Sequence, residues 1–109
     1  MDLPLDIMQA NAGRATALLK SMANETRLMI LCQLSEREMN VGELIELVGL
    51  SQSALSQHLG VLRREGLVKT RREAPYVWYS IDSEDAKAVI GTLYDLFCAN
   101  CEAPAASGD

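Results

Sequence analysis

The chain has 109 residues, 49% of them hydrophobic and 23% charged, which fits one small globular domain with a modest core and argues against general disorder. Its formal net charge of −5, taken as a total, argues against a nucleic-acid partner. The apolar runs are too short to span a bilayer, the acidic start Met1-Asp2-Leu3-Pro4-Leu5-Asp6 has no basic export segment, and the three cysteines are an odd count, so reduced thiols in the cytoplasm and no membrane partner are expected.

In chain order, residues 5–22 place Ile7, Met8, Ala12, Ala15, Leu18, Leu19 and Met22 at helical spacing in a wide apolar stripe. Asn24 is placed to cap a second helix, with Glu25 in its first turn and Leu28, Leu31, Cys32 and Leu34 within it. The polar stretch Glu36-Arg37-Glu38 closes that helix. A third helix covers residues 41–48, with Leu44, Ile45 and Val48 turned inward and Gly49 as its C-terminal cap. Ser51 caps a fourth over residues 52–64, whose buried stripe is Ala54, Leu55, Leu59 and Leu62; Gly66 ends it. The period then changes. Residues 67–72 and 76–81, rich in Val, Thr, Tyr and Trp, form a β-hairpin around Glu73-Ala74-Pro75. Ser83 caps a last helix with Glu84 and Asp85 in its first turn and Ala86, Val89, Ile90, Leu93, Tyr94 and Phe97 inward. Residues 1–101 thus read as one domain, and 102–109 as a disordered tail.

The third and fourth helices, joined by Gly49-Leu50-Ser51, make a helix-turn-helix. The fourth exposes Gln52, Ser53, Ser56, Gln57 and His58 opposite Leu55, Leu59 and Leu62. Such side chains suit a major groove, where Gln pairs with adenine and Ser reaches a base or a phosphate. Lys69, Arg71 and Arg72 follow in the hairpin, where a wing reaches the neighbouring backbone or minor groove. Residues 47–72 carry a net +4, against −3 for 1–46 and −6 for 73–109. A basic patch on an acidic body grips a polyanion through one face only. Each piece has a plain alternative: a solvated helix face, or a charged edge that discourages strand pairing. The order helix, turn, polar helix, basic hairpin, helix is seldom accidental in so short a chain, and it points to double-stranded DNA. The fold class is mainly α with a β-hairpin, a winged helix-turn-helix of order α-α-α-α-β-β-α.

The segment Met22-Ala-Asn-Glu-Thr-Arg-Leu-Met-Ile-Leu31 resembles the opening of the second helix in ArsR-type repressors. Leu50-Ser-Gln-Ser-Ala-Leu-Ser-Gln-His-Leu-Gly-Val-Leu-Arg-Arg-Glu-Gly-Leu-Val68 is similar to their recognition helix. The resemblance covers about residues 12–98. It implies a homodimer through the first and last helices, two recognition helices on a palindromic operator, and an effector that changes DNA affinity. By this carry-over the DNA contacts are Gln52, Ser53, Ser56, Gln57, His58, Arg71 and Arg72. His58 is the chain's one histidine. It cannot build a metal site by itself, so it reads as a DNA contact or a bystander.

The family's two usual metal sites are missing. Asn40-Val41-Gly42-Glu43-Leu44 holds no Cys-x-Cys, and the last helix has Asp82, Glu84, Asp85 and Asp95 near it but no histidine. What is left is Cys32, Cys98 and Cys101. The pair Cys32 and Cys98 resembles the dithiol branch that includes HlyU and the sulfide-responsive BigR and SqrR regulators. That likeness implies bridging of the two thiols by reactive sulfur species (persulfides) or oxidants, and no cofactor. The residues alone leave other readings open. Cys32 lies one turn after Leu28 and fits a plain core position. Cys98-Ala-Asn-Cys101 is a lone Cys-x-x-Cys that, with Cys32, fits a soft metal or metalloid. A winged-helix module for protein contacts is a further alternative. An enzyme is not expected, because a thiol oxidoreductase would need a βαβ context that the pattern lacks.

Overall fold

The computed structural model describes residues 3–99. Helix α1 (Leu5–Met22) carries Asp6 in its first turn and Lys20 in its last, an order that suits the helix dipole. Its C-terminal end is the buried part: Ser21 and Met22 are buried, while Leu5, Ile7, Met8 and Leu19 are exposed. Arg27 of helix α2 (Glu25–Glu36) fastens the two helices. Its Nε donates to the Ser21 carbonyl at 2.7 Å and its Nη2 to the Lys20 carbonyl at 3.4 Å, satisfying acceptors that the end of α1 leaves open. Asn24 caps α2, its Oδ1 accepting the Arg27 N–H at 3.0 Å.

Asn40 serves two elements. It ends the short strand β1 (Met39–Asn40) and caps α3 (Val41–Val48). Its Oδ1 accepts the Glu43 N–H at 2.9 Å and Glu43 Oε1 accepts the Asn40 N–H at 3.1 Å, a reciprocal capping box. Gly49, at φ +76°, closes α3 in the left-handed region that costs glycine least. Two residues later Ser51 Oγ accepts the Ala54 N–H at 3.1 Å and starts α4 (Gln52–Arg64). Strands β2 (Val68–Glu73) and β3 (Tyr76–Ile81) form the hairpin, and β1 adds to the far side of β3, giving the antiparallel order β1-β3-β2. Ser83 Oγ accepts the Ala86 N–H at 3.0 Å and begins α5 (Glu84–Phe97).

The core gathers Ile30, Leu31 and Leu34 of α2, Leu44 of α3, Leu55, Leu59 and Leu62 of α4, Leu67 and Val68 at the start of the hairpin, and Ala86 and Ile90 of α5. Helix α2 lies at its centre, in contact with α3, α4, α5 and β3. The expected order of helices and hairpin is the observed one, with β1 as an addition. A two-residue strand is too short for alternation to reveal. Two readings of side-chain direction differ. Cys32 is exposed rather than part of the core, and Tyr94 and Phe97 are exposed; Cys32 and Tyr94 line a cleft shared by α2 and α5. The disordered-tail reading for 102–109, and Cys101, lie outside the described residues.

The two faces of α4 give a stability contrast. Leu59→Ala, at a core position, is expected to cost about 2–5 kcal/mol, whereas Gln57→Ala should stay within about 0.5 kcal/mol. Urea titration followed by circular dichroism measures both.

Candidate nucleic-acid interface and dithiol cleft

Helical spacing places Leu55, Leu59 and Leu62 on one side of α4, and at most 2% of each is exposed. The opposite side must then face water. Gln52, Ser53, Ser56 and Gln57 are all exposed there, and His58 is half-buried at the edge of the strip. Arg63 and Arg64 extend the exposed surface into the last turn. The hydroxyl of Ser51 is engaged as the cap. Five side chains therefore stand together on α4 as expected, four fully outward and His58 partly shielded.

The wing treats its two arginines differently. Strand pleating sends neighbours to opposite faces. Lys69, Arg71 and Glu73 lie across from Ser80, Trp78 and Tyr76, while Val68, Thr70 and Arg72 lie across from Ile81, Tyr79 and Val77. On the first face Arg71 is held by Glu38, with Nη2 at 2.8 Å from Oε1 and Nε at 3.1 Å from Oε2. Arg71 Nη1 lies 3.5 Å from Glu73 Oε2, and its guanidinium carbon stands 5.7 Å from the centre of the Trp78 ring. The bond from Arg71 holds the Glu38 carboxyl below the usual carboxylate range, and Glu38 in turn raises Arg71. Lys69 Nζ is 3.9 Å from Asp82 Oδ1, both exposed, a loose pair that solvent screens. Arg72 is exposed and has no ion pair among the described residues. Glu38, far from Arg71 along the chain, carries no sequence signal for this contact.

Cys32 opens into the cleft between α2 and α5, which has a volume of about 520 Å³. Gln33, Ser35 and Glu36 line it from α2, and Lys87, Ile90, Gly91, Tyr94 and Asp95 from α5. Ser35 Oγ donates to the Cys32 carbonyl at 2.6 Å. Cys98 is exposed and caps α5, its N–H donating to the Tyr94 carbonyl at 2.7 Å. Partial burial pushes the Cys32 thiol above its ordinary value, and the nearby Cys98 thiolate pushes it further. His58, on α4, lines no part of this cleft. Among the described residues no three His, Cys, Asp or Glu side chains are gathered to hold a metal.

Thiolate is the form that alkylates, so the raised Cys32 predicts a pH profile. Iodoacetamide should modify Cys32 more slowly than a solvated cysteine at about pH 8. In Cys98→Ser the midpoint of the profile should move down, and the rate at that pH should rise. Peptide mass spectrometry reads the Cys32 site directly; an unmoved midpoint would separate the two thiols.

Residues 24–70 match a family described as bacterial regulatory protein, arsR family. The sequence is 54% identical over 94 residues to the transcriptional activator HlyU of Vibrio cholerae, covering 86% of this chain and 87% of that one. It is 43% identical over 98 residues to the biofilm growth-associated repressor of Agrobacterium fabrum, covering 90% and 84%. Among solved structures, reduced HlyU from Vibrio cholerae matches with a TM-score of 0.80 at 55% identity, over 84% of this chain and 96% of that one. The transcriptional repressor BigR from Xylella fastidiosa matches with a TM-score of 0.84 at 39% identity, over 89% and 99%.

Proposed function

Given that the chain belongs to the arsR family of bacterial regulatory proteins, we propose that it binds operator DNA as a homodimer and that the thiol state of Cys32 and Cys98 sets its affinity. That it is a DNA-binding transcriptional regulator, not an enzyme, follows from the family and from its relatives. The finer reading begins from one observation: α4 turns a continuous strip of Gln52, Ser53, Ser56 and Gln57, with His58 at its margin, into solvent next to a basic hairpin. These amide and hydroxyl groups read base edges and phosphates in a major groove. Arg63, Arg64 and Arg72 supply phosphate attraction, which makes affinity depend on salt. The acidic remainder of the chain is repelled by the duplex and helps orient the basic side.

The exposed apolar residues support a dimer. Leu5, Ile7, Met8 and Leu19 of α1 and Tyr94 and Leu96 of α5 are large apolar side chains left exposed on the first and last helices, and a partner surface would withdraw them from water. A second copy covering both helices would fix two α4 helices at one spacing, and a twofold protein would read a palindromic site.

The dithiol is the regulatory element. With an inorganic disulfane, H₂S₂, one cysteine thiolate attacks a sulfur, becomes a persulfide and releases hydrogen sulfide. The second thiolate attacks the cysteine-bound sulfur, expels a second hydrogen sulfide and closes the bridge, so both cysteines are oxidised and the disulfane is reduced. A peroxide does the same net two-electron oxidation, leaving water. Either bridge would tie α2, which supports the helix-turn-helix, to the end of α5 on the dimer side. The affinity change equals the difference in how the bridge favours the two arrangements, and no more.

The reading predicts that Cys32→Ser and Cys98→Ser each bind duplex as tightly as the parent when reduced. Polysulfide or peroxide should change the parent's affinity by roughly 5- to 150-fold, the usual scale of coupling between sites, and leave both variants unmoved. Fluorescence anisotropy with mass spectrometry of the same samples tests this. Equal responses in parent and variants would remove the dithiol reading, and a response to arsenite or zinc alone would replace it with a thiolate metal site.

A further inference from the structure

On the reading that α4 and the hairpin face DNA, we infer that Arg71 is a positioning residue that latches the wing to the segment after α2, and that Arg72 alone of the two arginines meets the phosphates. The two are adjacent in sequence, and strand pleating puts them on opposite faces of the ribbon. On its face, Arg71 presents its fork to both oxygens of Glu38 at 2.8 and 3.1 Å, the planar match that guanidinium makes with carboxylate. Its third nitrogen is directed to Glu73 at 3.5 Å, and its plane stands by Trp78. Two carboxylates and an indole thus flank the guanidinium, which stays half exposed. A phosphate approaching there is repelled by Glu38 and Glu73. Arg72 is exposed and makes no ion pair among the described residues.

The latch has a mechanical task. The free end of a two-stranded ribbon is weakly held, and the third strand contributes only the pairs Met39↔Tyr79 and Asn40↔Trp78. The Glu38–Arg71 fork adds a side-chain tie, between the residue just before β1 and the middle of β2. It sets the angle at which the wing, and Arg72 with it, leaves the body. Both partners are partly exposed, so the tie acts by geometry and not by a large contribution to folding.

A mixed-sequence duplex of about 30 base pairs is a sufficient probe, because binding without sequence preference is carried by phosphate neutralisation. With the full chain, Arg72→Ala should lower the slope of log affinity against log salt by roughly 0.9 for each phosphate left without its cation. Arg71→Ala should leave that slope as in the parent, because the released wing still carries Arg72, and should weaken binding at every salt concentration, because Arg72 is no longer held at one angle. Glu38→Gln should not tighten binding, and the double variant Glu38→Gln with Arg71→Ala should behave as either single one. Trp78 is the only tryptophan, so its emission in the protein without DNA reads the latch directly: Arg71→Ala and Glu38→Gln should shift it alike and Arg72→Ala should not. A lowered slope in Arg71→Ala, tighter binding in Glu38→Gln, or emission unmoved by both would overturn the inference. A parent that shows no salt-dependent binding would instead sink the nucleic-acid reading, and the emission comparison would still judge the latch.

Discussion

The arrangement depends on the burial of Leu55, Leu59 and Leu62 against the helices beneath them. These three side chains are almost wholly withdrawn from water, in one core with Ile30, Leu31 and Leu44. Each such burial is worth roughly 1.5–3 kcal/mol, far more than any preference of the polar residues for one orientation. The leucines therefore fix the rotation of α4 about its axis. Gln52, Ser53, Ser56 and Gln57 face solvent because the opposite side is committed, and the turn through Gly49 and Ser51 sets where the helix begins.

Charge is sorted in space as well as along the sequence. The net −5 conceals a basic centre, and the fold divides that centre again. Arg71 is drawn into a cluster with Glu38, Glu73 and Trp78, while Arg72 is left open on the other face of the same strand. Counting cations in a hairpin thus overstates what it offers to a polyanion. What matters is how many remain without a carboxylate beside them.

Most of the helix boundaries were legible because their causes are local. Asn24, Ser51 and Ser83 each accept a backbone N–H three residues on, and Gly49 takes the positive φ that ends α3. The inward faces of α3 and α4 followed from periodicity for the same reason. What escaped depends on contacts between distant segments. β1 is two residues long and exists only because β3 pairs with it. The Glu38–Arg71 fork joins positions with no periodic relation. Cys32 falls within the apolar spacing of α2, yet it opens into a cleft that α2 and the distant α5 line together. Tyr94 and Leu96 continue the apolar character of α5 where no described residue buries them. The opposite facing of Arg71 and Arg72 was available from strand pleating alone once the hairpin was assigned.

The thiols and the exposed strip of α4 lie on different parts of the fold, joined through α2. Cys32 sits on that helix, whose buried face holds α4 through the leucine core and whose end leads into Glu38 and the wing. A bridge to Cys98 would act on the element that both α4 and the wing lean on. The central claim is that two copies present two α4 helices to one duplex. Selection of bound duplexes from a random-sequence pool, followed by hydroxyl-radical footprinting, tests it most directly. The account predicts a palindrome with two protected half-sites centred roughly 10–10.5 base pairs, or a multiple of that, apart. Enrichment of no sequence, or protection of a single asymmetric patch, would contradict it.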